Sequence, residues 1–214
     1  MEFTFRSFIF TKIFSKPYYN NMKKILLIAL LLVPFLGISQ TTKPIEGFLG
    51  IKFGASRADV IAAVKAKGGV LTDHSTETYL IFSNVKLGPR ASVQFDVKLF
   101  NDKCYQGYFY FKPDKEPEII DYYNSLVNDI SEIYGKGEPF KQFKSPYENG
   151  DGHEVGALEG GYAKFFTNWN SGSNFLQANI VIIKDDLYVI LNYLDLPTEA
   201  ASQAAEKAKT KSDY

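Results

Sequence analysis

Residues 91–112 read ASVQFDVKLFNDKCYQGYFYFK. Ala91, Val93, Phe95, Val97 and Leu99 alternate with Ser92, Gln94, Asp96 and Lys98. That is the period-two pattern of a strand with one buried and one wet face. Asn101-Asp102-Lys103 closes a hairpin into Cys104–Lys112. A three-residue turn pairs Leu99 with Tyr105, Phe95 with Phe109 and Val93 with Phe111. The same register puts Gln106, Tyr108 and Tyr110 on the wet side, where aromatic rings are not expected.

Upstream, residues 45–53 (IEGFLGIKF) read as a short strand or extended lead-in. Gly54 turns the chain, and Ser56-Arg57-Ala58-Asp59 has the form of a capping box. Val60, Ile61 and Val64 follow at helical spacing, and Gly68-Gly69 stops the helix. The glycines here lack the lysine of a phosphate loop. Residues 78–85 (TYLIFSNV) read as a further strand.

Downstream, Ile119, Tyr122, Tyr123, Leu126, Ile130 and Ile133 recur at three and four, predicting a helix from Glu118 to Tyr134. Gly135, Gly137 and Pro139 end it, and Lys141–Gly156 reads as a polar loop. Strands are expected at 162–170, 175–184 and 187–195. Their natural register sets Leu176, Ala178, Ile180 and Ile182 against Tyr193, Leu191 and Val189. Ala163, Phe165, Thr167 and Trp169 share that face. Residues 197–214 read as a frayed helix or disordered tail.

These elements predict an α+β fold of two tandem units, 45–112 and 113–196. Each unit is a helix followed by a three-stranded antiparallel sheet, with the helices on one sheet face. The chain is long enough for such units to be held by burial alone, and one cysteine excludes an internal disulfide.

The first forty residues read as an address. Met22-Lys23-Lys24, the apolar run Ile25–Ile38 and the small residues near Gly37 and Ser39 have the order of a secretory signal. Residues 1–21 read as an extension ahead of the true start at Met22, and 22–40 as the signal, cleaved near Ser39 or Gln40. The run is shorter than a spanning helix needs and Pro34 interrupts it. The expectation is a periplasmic or secreted protein with no stable membrane insertion. From Gln40 onward nineteen basic residues face twenty-three acidic ones, a net charge near −4. That balance argues against nucleic acid as a partner.

Leu49-Gly50-Ile51 with Gly54 and Ser56, the capped helix, the NDKCY hairpin and Tyr134-Gly135-Lys136-Gly137-Glu138-Pro139 together resemble exported modules of the beta-lactamase-inhibitor-protein-like kind. The same pattern is similar to small outer-membrane assembly lipoproteins. The resemblance spans about residues 45–196 and implies a non-enzymatic domain whose sheet binds a protein. This chain lacks the disulfides of the inhibitors and the acylated cysteine of the lipoproteins, so neither specific activity carries over.

The candidate binding residues are therefore Tyr108, Tyr110, Phe166 and Tyr188, aromatic groups on the face opposite the helices. No catalytic residue, metal ligand or cofactor is assigned, and the expected partner is a protein. One alternative is an envelope assembly or maintenance factor. Another is a small metal-dependent hydrolase at the loop of Asn149, Asp151, His153 and Glu154, where a calcium or zinc ion would sit. Cys104, at a strand start, reads as a packed thiol rather than a nucleophile.

Overall fold

The computed structural model describes residues 43–212, so the expected leader and the extension before it lie outside the described residues. A lead-in hairpin comes first, β1 (Gly47–Phe48) and β2 (Ile51–Lys52), then α1 (Arg57–Ala66). Ser56 caps α1 by accepting from the Asp59 amide at 3.2 Å, while its hydroxyl donates to the Asp59 carboxylate at 2.7 Å. Val60 and Val64 are the side chains that α1 buries.

β3 (Val70–Leu71), β4 (Tyr79–Ser83), the small hairpin β5 (Lys86–Leu87) and β6 (Arg90–Ala91), β7 (Gln94–Phe100) and β8 (Lys103–Phe111) complete the first half. A single 3-10 turn at Glu116–Glu118 leads into α2 (Ile119–Tyr134). Then follow β9 (Glu138–Phe143), α3 (Glu154–Glu159), β10 (Ala163–Ser171), β11 (Asn174–Ile183), β12 (Asp186–Asp195) and α4 (Leu196–Ser212).

The expectation of two tandem three-stranded units is wrong. The strands form one antiparallel sheet of eight, ordered β3-β4-β7-β8-β12-β11-β10-β9, beside the two small hairpins. The join is β8 against β12, from Phe111 opposite Val189 to Gln106 opposite Leu194. Two three-stranded units would each have kept an unpaired strand at that position, with its amides and carbonyls open. Pairing them removes two edges at once. The described residues accordingly belong to one compact unit.

Three further expectations change. Asn101 and Asp102, both at positive φ, make a two-residue turn, and Leu99 faces Cys104 across a bulge rather than Tyr105. Part of the expected polar loop is β9, an edge strand on which Pro139 is tolerated because an edge need not donate on both sides. The tail is a 17-residue helix, α4. It lies against β8 and β12, beside buried Gln106 and Leu194 on the face opposite the other helices. The helices therefore do not all share one face.

Elsewhere the register is the one that hydrophobic alternation demands, with Phe95 opposite Phe109, Ala178 opposite Leu191 and Trp169 opposite Leu176. Onto that apolar face α2 lowers Ile119, Tyr123, Leu126 and Ile130, all buried. Its Tyr123 hydroxyl meets Thr167 Oγ1 at 2.6 Å, so a polar pair survives inside the core without a stranded group.

Gly107 lies within the join, opposite both Val97 and Tyr193. A Cβ there would stand 2.7 Å from the Phe48 ring. That ring packs 5.5 Å from Phe95 and 6.2 Å from Tyr193, plugging the space from above. Gly107→Ala is expected to cost about 1–3 kcal/mol through overpacking, measured as a lower urea midpoint with unchanged slope.

Candidate functional site

The face of the sheet away from α1, α2 and α3 is built from directly opposed residues. One transverse row runs Gln94, Tyr110, Ile190, Asn179, Phe166 and Phe140, across β7, β8, β12, β11, β10 and β9. Four strand spacings separate Tyr110 from Phe140, about 19 Å. The neighbouring row runs Asp96, Tyr108, Asn192, Gln177, Asn168 and Glu138. A row whose aromatic and aliphatic members are Tyr110, Ile190, Phe166 and Phe140, interrupted by Asn179, thus lies beside a more polar row, in which Gln177 donates to Asn168 at 2.9 Å.

α4 covers only one end of this face. It buries the row of Gln106 and Leu194, where Gln106 donates to Asn192 at 3.0 Å. The Tyr110 row is four residues further along β8, about 13 Å away. From Gln203 to Ser212 every residue of α4 is exposed.

The four aromatic residues expected at the site all fall on this face and are half-buried, but they do not form one cluster. Tyr108 and Tyr110 lie together, ring centroids 6.3 Å apart. Phe166 belongs to the far end, stacked on Phe140 at 4.5 Å and 15°. Tyr188 stands one row further out, with the Lys112 ammonium 5.6 Å from its ring and Lys112 paired to Asp186 at 2.7 Å.

Four participants were not foreseen. Phe140 lies between the helix stop at Pro139 and the loop expected from Lys141, alternation puts Ile190 on the open face without giving it a role, and Tyr79 falls within the strand expected at 78–85. Alternation puts Asp96 on the wet face, yet it is buried. It accepts from the Tyr79 hydroxyl at 2.6 Å and from Gln94 Nε2 at 2.8 and 2.9 Å. Its alternation position was visible; the tyrosines that close over it come from β4 and β8.

Burial lifts the Asp96 carboxyl above its usual 3.8, against hydrogen bonds from Tyr79, Gln94 and Tyr110 and the charge of Lys98, which pull it down. Burial followed by the Asp96 charge pushes Tyr110 up to about 12. Tyr79 and Tyr108 are raised too, burial again leading. The patch therefore presents neutral phenols at physiological pH.

The His153 loop does not assemble a metal centre. Asp151 accepts the Glu148 and His153 amides at 2.9 and 2.8 Å, and Glu154 accepts the Gly150 amide at 2.8 Å. The carboxylates are thus used to close the loop and to enter α3. Among the described residues no group of three or more His, Cys, Asp or Glu is placed to hold a metal ion. Cys104 is buried, its thiol 3.3 Å from the Lys52 carbonyl, and burial pushes its titration up. A thiol held protonated in a packed core is a poor nucleophile.

No protein-family model, curated protein or solved structure matches this chain.

Two outcomes are expected. Because the folded Asp96 holds its proton above the unfolded value, the native state loses stability as pH rises through the folded value. The stability of Asp96→Asn relative to wild type should therefore climb as pH is raised above 3.8, followed by urea unfolding across about pH 3 to 7. A flat difference would show that the carboxyl keeps its ordinary value. The Cys104 thiol should react with a disulfide reagent only at the rate of unfolding, and fast labelling in native buffer would contradict its burial.

Proposed function

We propose that this chain is an exported, non-enzymatic binding module that holds a protein partner on the sheet face left open by α1, α2 and α3. The observation that carries the reading is the row from Tyr110 through Ile190 and Phe166 to Phe140. It crosses five strands in register and is bordered by amide side chains. Aromatic anchors on a rigid sheet bury much area while losing little side-chain freedom. The adjoining Asn192, Gln177 and Asn168 supply the polar contacts that a specific interface needs at its border.

The free edge next to that row supports the same geometry. β9 lacks a donor at Pro139, and its Lys141 ammonium rests 4.6 Å over the Phe165 ring. A proline and a lysine on an edge discourage addition of a further strand. These edge features favour the face over the edge as the docking surface. Export, with cleavage near Ser39 or Gln40, rests on the leader pattern and belongs to the same proposal. Among the described residues no helix is long and apolar enough to cross a membrane.

The test is affinity capture from an envelope extract with the chain from Gln40 onward. Two variants run beside it, Tyr108→Ala/Tyr110→Ala and Phe140→Ser/Phe166→Ser, each first checked for native circular dichroism. Each pair should weaken the captured partner by about 2 kcal/mol or more, roughly 30-fold. A partner retained equally by wild type and both variants would place the binding surface elsewhere.

A further inference from the structure

We propose that this protein has a second site, distinct from the sheet face: a cleft that takes a neutral, predominantly apolar small molecule. The cleft lies between the tips of the two small hairpins and the C-terminal half of α2, and encloses about 800 Å³. That is the size range of small-molecule sites. Leu49, Leu87, Ile130 and Ile133 give it apolar walls, and Tyr134 and Tyr193 complete the lining.

Three features point to the class of occupant. The charged residues of the wall are three basic and three acidic, and four of the six are paired with each other. Arg90 binds Asp129 at 2.6 Å and also Ser125 at 2.9 Å, and Lys52 meets Glu46 at 3.4 Å. Lys43 and Glu132 leave the sum at zero, so the wall offers no net attraction to an ion. Ile133 is 47 % exposed beside the cleft, apolar surface that an occupant would remove from water. The two phenols lie edge to face at 6.4 Å, and burial, followed by its neighbour Tyr134, keeps Tyr193 well protonated. The two are hydrogen-bonded to each other and uncharged, so they add no attraction for an ion.

The lip carries an unusual conformation. Leu49 has φ 52° and Gly50 φ 79° at the turn between β1 and β2. A left-handed turn of this kind ordinarily uses asparagine, aspartate or glycine at its first position, because a leucine Cβ is crowded there. Leu49 nonetheless sits in that conformation and lines the cleft. Strain of this sort concentrates at ligand clamps. Both hairpins stand outside the strand order of the main sheet, and Phe48 and Ile51 anchor the first of them in the core, so its Leu49–Gly50 tip is a fixed wall of the cleft.

The experiment titrates the full chain with N-phenyl-1-naphthylamine, a neutral apolar fluorophore that brightens out of water. Saturable brightening with one site per chain and a Kd on the order of micromolar is expected. The lone tryptophan serves as internal donor: Trp169 donates its indole N–H to the Gly135 carbonyl at 2.9 Å, next to Tyr134. Energy transfer from Trp169 should therefore accompany binding. Ile133→Glu should weaken the probe about tenfold or more, equivalent to about 1.4 kcal/mol. Leu49→Gly should weaken it too while leaving Tm unchanged or higher, since it relieves the turn. A merely structural Leu49 would instead give a lower Tm with the probe still bound. Tyr108→Ala/Tyr110→Ala should bind the probe like wild type. No saturable binding, or undiminished binding by both cleft variants, overturns the proposal. Loss of the probe in the tyrosine variant alone would assign it to the sheet face, removing the cleft site while leaving the protein-binding reading intact.

Discussion

The structure depends on the pairing of β8 with β12. Every other pairing of the sheet joins strands closer in sequence, either in hairpins or across one short insertion, β5 and β6 between β4 and β7 and α3 between β9 and β10. This pairing joins residues about eighty positions apart, bringing Phe111 opposite Val189 and Gly107 opposite Tyr193. It carries the loop-closure cost of that separation. The return is a shared core in which Phe95, Phe109 and Tyr193 pack across the join, Phe95 and Phe109 stacked at 4.3 Å. Phe48 then closes the space above Gly107. The lead-in hairpin is thus part of the core of both halves.

A single eight-stranded sheet has two large faces, and their fates differ. One receives α1, α2 and α3 and becomes the hydrophobic core. Among the described residues the other receives only the first turns of α4 at one end. Its remaining apolar residues line up because the register is uninterrupted from β8 to β9. Two separate three-stranded sheets would not have aligned Tyr110 with Phe140. The same join that holds the fold together therefore creates the long row on which the proposed function rests.

Asp96 illustrates how a face position acquires a role that pattern alone does not reveal. Alternation with Phe95 and Val97 places it outward, and that placement is right. Whether an outward carboxylate is solvated depends on neighbours from other strands. Here Tyr79 from β4 and Gln94 from its own strand close over it. The His153 loop shows the converse. Its carboxylates are close in sequence, in a pattern that suggests a metal centre, but the backbone amides of Glu148, Gly150 and His153 take them up first.

Hydrophobic periodicity by itself determined the α+β class, the antiparallel hairpins, the registers Phe95–Phe109 and Ala178–Leu191, and the buried stripe of α2. All of these follow from side-chain alternation over a few residues and from short turns, interactions that one segment and its neighbour contain in full. Tertiary structure alone decided that the two halves share one sheet, that β9 is a strand despite Pro139, and that α4 crosses to the other face. It also decided that Asp96 is buried and that a cleft opens beside Leu49. Each of those depends on which distant surface a segment meets. The edge of β8 carries no mark in its own residues naming β12 as its partner, because backbone amides and carbonyls are the same on every strand.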